Sequence, residues 1–122
     1  MSLPEFLVAD PSATAWRSPL RRALAQAPAG IRDVTALIDE AEVATLGPAA
    51  GVAGIEVDRA DAKLLLRRLT DLDLDDLPAI GAVARVRALV LREAEQRYRL
   101  WFPQEYSDYV AEVVLDAAAG LR

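Results

Sequence analysis

The sequence predicts an α+β (α/β) fold: a small single domain with a short mixed or antiparallel sheet, helices packed on one face, and an amphipathic C-terminal helix. Three observations carry that expectation. The chain is 122 residues long and 53% hydrophobic, enough to bury one core. Ala82, Ala84, Val86, Ala88 and Val90 alternate with Val83, Arg85, Arg87, Leu89 and Leu91, and Arg97, Arg99 and Trp101 with Tyr98, Leu100 and Phe102, a period of two. Near the end, Tyr106, Tyr109, Val110, Val113, Val114 and Ala117 repeat at helical spacing.

Taken in order, residues 1–15 hold Pro4, Pro11, Ser12 and Thr14 around one apolar cluster, Phe6, Leu7 and Val8. They read as an N-terminal arm, with the domain proper over 16–122. Ser18-Pro19-Leu20 opens a short helix, Ser18 as cap and Pro19 at the first position. Leu20, Ala23, Leu24 and Ala27 form its apolar face, and Pro28 and Gly30 end it. Gly30 to Val34 then enters extended chain.

Val43 to Gly54 is small and neutral, with Gly47, Gly51 and Gly54. It matches neither the dinucleotide fingerprint nor the P-loop, so it reads as a flexible or close-packed turn. Ile55-Glu56-Val57 is a short strand. Asp58 and Asp61 sit at the start of the next helix, whose stripe is Ala62, Leu65, Leu66 and Leu69. Arg67 and Arg68 at its end complement the helix dipole. Asp71 to Asp76 mimics the opening of a calcium loop. Asp76 stands where that loop needs Gly, and Ala82 where it needs Glu, so a solvated acidic turn or a docking spot for a basic partner is expected instead.

Between Gly81 and Phe102 the pattern fits a hairpin of two strands turning at Arg92 to Gln96. The same residues also form helices readily, and pattern alone leaves hairpin and helix both open. Pro103 begins the last helix and Gly120 closes it, with Glu105, Asp108, Glu112 and Asp116 opposite the apolar stripe. Burying that stripe would contribute about 5–10 kcal/mol before chain entropy is subtracted.

Composition restricts the chemistry. The chain has no Cys and no His, which removes disulfides, thiolate nucleophiles, zinc ribbons, the Ser-His-Asp triad and a histidine-tethered flavin. Its net charge is −5, which disfavours nucleic acid as a partner. The longest stretch without a charge, Val43 to Ile55, is too short to cross a bilayer, and no leader-like pattern opens the chain. A cytoplasmic protein is the expectation. Glu56, Asp58 and Asp61 could supply paired carboxylates only if they faced each other across a cleft, roughly 5–10 Å apart. No residue is assigned a catalytic, cofactor-binding or metal-binding role. If the two late strands pair, Arg85, Arg87, Arg97 and Arg99 could share a face beside Trp101. Such a patch would attract a phosphate, nucleotide or folate glutamate, but suits a subunit interface better, since Arg and Trp anchor such contacts.

Several strings in order also resemble a known family. These are Ser18-Pro19-Leu20, Gly30 to Val34, Ile55-Glu56-Val57 with Ala62 to Thr70, Leu77-Pro78, Gly81 to Arg85, and Tyr98 to Phe102 leading into Tyr106 to Tyr109. Over residues 17–121 they resemble the gamma subunit of heterotetrameric sarcosine oxidase, a relative of the folate-binding domain of glycine-cleavage aminomethyltransferases. The resemblance implies a non-catalytic accessory subunit without a cofactor of its own. Its larger, flavin-bearing partners would hold FAD, FMN, NAD and tetrahydrofolate and oxidatively demethylate sarcosine or a related secondary amine. Arg92 to Gln96 replaces the Asn- and Gly-rich loop of the aminomethyltransferases, so their folate role does not carry over. The stretch from Ala36 to Gly54 is longer than the family pattern. Two alternatives stay open: a stand-alone folate-binding aminomethyl or methyl transferase, and an unrelated small adaptor.

Overall fold

A computed structural model describes residues 18–121. The proposed arm over 1–15 lies outside them. The fold is α+β: one five-stranded antiparallel sheet with helical segments against it. The strands are β1 (Ile31–Asp33), β2 (Val52–Asp58), β3 (Ala79–Val83), β4 (Val86–Ala94) and β5 (Arg97–Pro103), in the order β1-β2-β5-β4-β3. The helices are α1 (Glu40–Val43), α2 (Ala62–Arg67) and α3 (Ser107–Ala119).

The ambiguous span 81–102 forms strands joined by turns and no helix, so the helical reading of it does not hold. It holds one more turn than the alternation suggests. Chain reversal at Ala84-Arg85 splits the first expected strand, so that Val83 pairs with Val86 and β3 folds back on β4. Both turn residues adopt left-handed backbone, Ala84 at φ 53° and Arg85 at φ 70°. This tight hairpin normally takes Asn-Gly, and a residue with a Cβ costs roughly 1–2 kcal/mol there. The second turn falls at Glu95-Gln96, after a register shift between Arg92 and Ala94. There Arg92 reaches back to the carbonyl oxygens of Ala94 (3.4 Å) and Glu95 (2.7 Å).

Residues 19–26 form successive turns rather than a regular helix. Ser18 Oγ does accept the Leu20 amide (3.1 Å), and Leu20 and Leu24 are buried as the pattern expects. Asp61 precedes α2, but its carboxylate is held bidentately by Arg59 (2.8 and 2.9 Å) instead of capping an amide. In the acidic turn, Lys63 pairs with Asp75 at 2.6 Å, and no cluster of metal-ligating side chains forms among the described residues. No helix among them is long and apolar enough to cross a membrane.

The last helix starts later than expected. Pro103 ends β5, a single turn of 3-10 helix follows over 104–106, and α3 begins at Ser107. That offset rotates the buried face. Val110, Ala111, Val114, Ala117 and Ala118 join the core, with Ser107 buried at the start of the helix, whereas Tyr106 and Tyr109 are left partly exposed.

The sheet is buried on both faces. On one, Ile55, Val57, Val86, Val90, Tyr98, Leu100 and Phe102 pack against α2, α3, Leu20 and Leu24. On the other, Leu89, Leu91, Trp101 and Val52 are covered by Val34, Ile38, Val43 and Leu46 from the connection between β1 and β2. The glycine-rich stretch is therefore not a turn alone. It includes the cover, and its last residues are the first half of β2.

Gly54 holds this second layer together. Its N–H donates to Thr35 Oγ1 (3.0 Å) and its carbonyl oxygen accepts from the Val34 amide (2.9 Å). With both groups turned toward β1, the pairing of Gly54 with Trp101 on β5 is the non-hydrogen-bonded, closer kind. The indole lies across the bare Cα, where a Cβ would overlap ring atoms Cζ3 and Cε3. Two outcomes are expected in urea denaturation. Gly54→Ala lowers stability by about 1–3 kcal/mol, because neither backbone nor the fully buried indole can retreat. Arg85→Gly raises it by about 1 kcal/mol, by relieving the left-handed turn.

Candidate functional site

The strand register lines up a row of side chains across the covered face: Leu91 on β4, Arg99 on β5, Glu56 on β2 and Arg32 on β1. Glu56 is almost wholly buried, at 3% exposure. A carboxylate there needs charge and hydrogen-bond compensation. It receives both: Arg32 Nε donates to Oε2 at 2.7 Å and Arg99 Nε to Oε1 at 3.1 Å. Arg99 is mostly buried, while Arg32 is largely exposed at the edge of the sheet.

Burial works against ionising Glu56, but the hydrogen bonds and charges of Arg32 and Arg99 outweigh it and hold the carboxyl below its ordinary value. Arg32 is in turn pushed up by its hydrogen bond to Glu56. Glu42, half-buried on the cover, moves the other way. Burial raises its pKa, with Glu93 and Asp39 adding to the rise and Arg99 opposing it. One further pair closes the row's lower side, Arg97 Nε with Asp58 Oδ2 at 3.4 Å.

This geometry answers the hydrolysis question. Glu56 is an ionised carboxylate held between two guanidinium groups, the opposite of a general acid or a free base. Asp58 and Asp61 are engaged by Arg97 and Arg59. What the site can do is present fixed positive charge. Each hydrogen bond to Glu56 comes from Nε, and among the described residues the terminal guanidinium nitrogens of Arg32 and Arg99 make no other hydrogen bond.

Of the five residues expected on one face, Arg87, Arg97, Arg99 and Trp101 fall on the same face of the sheet by register, and Arg85 does not. Arg97, Arg99 and Trp101 stand on the same face of β5, but Trp101 is fully buried beneath the cover and belongs to the core, not to an exposed surface. Its Nε1 has no hydrogen-bond acceptor among the described residues. Arg87 is exposed on β4 opposite Ala82, and Arg85 sits in the β3–β4 turn because the chain reverses there. Sequence reading misses Arg32 altogether and weighs Glu56 only as a hydrolytic carboxylate. Arg32 joins only through the β1–β2 register, and Glu56 looks like any strand carboxylate until Arg99 is placed directly beside it.

The ion cluster has a definite pH signature. Its folded-state carboxyl lies below the ordinary value of 4.5, so its stabilisation is present above that pH and lost as pH falls through the lowered folded value. Glu56→Gln is expected to cost about 2 kcal/mol near neutrality. In urea denaturation the gap between variant and parent should narrow progressively below pH 4.5. A gap independent of pH would contradict the paired carboxylate.

No protein-family model and no curated protein matches this sequence. Among solved structures, the fold is similar to a chain of the heterotetrameric sarcosine oxidase from Corynebacterium sp. U-96, determined in complex with pyrrole 2-carboxylate. The TM-score is 0.55 and the sequences are 19% identical; the match covers 59% of this chain and 40% of that one. The chain thus spans less than half the length of that relative, and the likeness is one of fold: the domain is built like part of a subunit of a sarcosine oxidase assembly.

Proposed function

We propose that this chain is a non-catalytic accessory subunit, of the gamma kind, in a multi-subunit flavoenzyme that oxidatively demethylates sarcosine or a related secondary amine. The observation that carries the reading is the likeness of its fold to a chain of a heterotetrameric sarcosine oxidase. Two features support it. The buried carboxylate is neutralised by arginines, and a sequence without His or Cys offers recognition rather than reactivity. Exposed apolar side chains, Leu37, Leu64, Tyr106 and Tyr109, add surface that a partner could cover.

In this reading FAD, FMN, NAD and tetrahydrofolate belong to the larger partner chains, and the assembly is cytoplasmic. The subunit contributes shape and fixed charge. Exposed Arg32 and Arg97, with the part of Arg99 that reaches solvent, would meet carboxylates of a partner, and the net charge of −5 would steer the chain toward a basic face elsewhere.

The test is affinity purification of the tagged full chain from its own cells, followed by absorption spectra and mass spectrometry. Larger flavin-bearing chains are expected to co-elute in fixed ratio, and Arg99→Ala is expected to weaken their retention. A chain that elutes alone, with no flavin absorbance, would overturn the proposal. Tight binding of tetrahydrofolate by the isolated chain would favour the transferase reading instead.

A further inference from the structure

Three arginines outside the Glu56 row gather elsewhere. Arg67 and Arg68 at the C-terminal end of α2 and Arg85 in the β3–β4 turn line a concavity of about 270 Å³, with Thr70 at its wall and Asp71 the one acid on it. All three arginines are exposed, and none has a carboxylate within ion-pair distance among the described residues. Arg32, Arg59, Arg97 and Arg99, by contrast, are all paired. Three positive charges against one negative make this a basic spot on an acidic chain.

Its walls are fixed. The Ala84 amide donates to the Leu69 carbonyl oxygen at 2.7 Å, Thr70 bridges to Val83, and Thr70 Oγ1 donates to the Ala82 carbonyl oxygen at 2.7 Å. The roots of the three side chains are therefore tied to one another through backbone, which lowers the entropy lost on closing them around a ligand. Arg85 also occupies the left-handed turn position that glycine would fill without strain.

We propose that this concavity binds a compact diphosphate-bearing small molecule through Arg67, Arg68 and Arg85. Donor arithmetic selects the ligand class. Each guanidinium offers five N–H donors, while one carboxylate presents about four lone-pair sites. A diphosphate has the oxygens and the charge to engage three forks at once, and guanidinium–phosphate pairing is bidentate. The size of the concavity suits a diphosphate and a small attached group rather than an extended acidic strand. This assignment stands apart from the accessory-subunit reading, since it needs no partner chain.

The test is calorimetric titration of the full chain with inorganic pyrophosphate, at low and at physiological salt. Saturable binding that weakens as salt rises is expected. Arg85→Gly should weaken it about tenfold while leaving the chain at least as resistant to urea, so lost binding cannot be blamed on lost fold. Arg67→Gln should weaken it as well. Arg21→Gln, which removes an arginine outside this concavity, should leave it unchanged. The proposal is overturned if the parent chain does not bind pyrophosphate, if Arg85→Gly binds it as tightly as the parent, or if Arg21→Gln weakens it equally. Failure to bind pyrophosphate, together with loss of partner chains on Arg85→Glu, would assign these arginines to a protein's acidic surface.

Discussion

The contact between Gly54 and Trp101 sets the terms for the rest of the molecule. An indole can lie flat across a neighbouring strand only where that strand has no side chain, and only if something then shields its outer surface. The connection from Val34 to Gly51 is that shield, and it is fastened at the same glycine through Val34 and Thr35. Once the layer is in place, β2 is buried on both sides from Val52 to Val57. Glu56 must then sit in that buried row, and Arg32 and Arg99 are what make its charge tolerable. Packing thus determines where the electrostatics fall.

Much of the architecture was legible because the periods were clean. Alternation of Arg97, Arg99 and Trp101 with Tyr98, Leu100 and Phe102 marks β5, and the helical repeat after Tyr106 marks α3. The errors share a cause. Val52-Ala53-Gly54 looked like the tail of a glycine-rich turn because glycine usually weakens strands; here the cross-strand ring supplies what its missing side chain cannot. The reversal at Ala84-Arg85 was illegible because neither residue is a turn former. Since Ala82, Ala84, Val86 and Ala88 alternate smoothly through it, the pattern conceals a fold-back.

The candidate site was legible as a composition and not as a geometry. Thirteen arginines and one lysine announce that guanidinium pairing matters. Which arginines meet depends on register, so of the expected group Arg97 and Arg99 go to one region, Arg85 to another, and Arg87 to neither. The first pair is consumed by Glu56 and Asp58, half inside the protein. Arg85 joins Arg67 and Arg68, which local reasoning explains as complements of a helix dipole. A local explanation that suffices can hide a long-range one. In both places the chain offers fixed positive charge in an acidic context, which suits recognition of an anionic partner or ligand and supplies no reacting group.

Native-state hydrogen exchange followed at single amides tests the central dependence most directly. The Gly54 N–H, bound to Thr35 Oγ1 on the shielding connection, should exchange only with global unfolding, at the same free energy as Leu100 and Trp101 in β5. Exchange of Gly54 at the rate of an exposed loop, with β4 and β5 still protected, would mean that the shield opens by itself, and that the sheet does not depend on it.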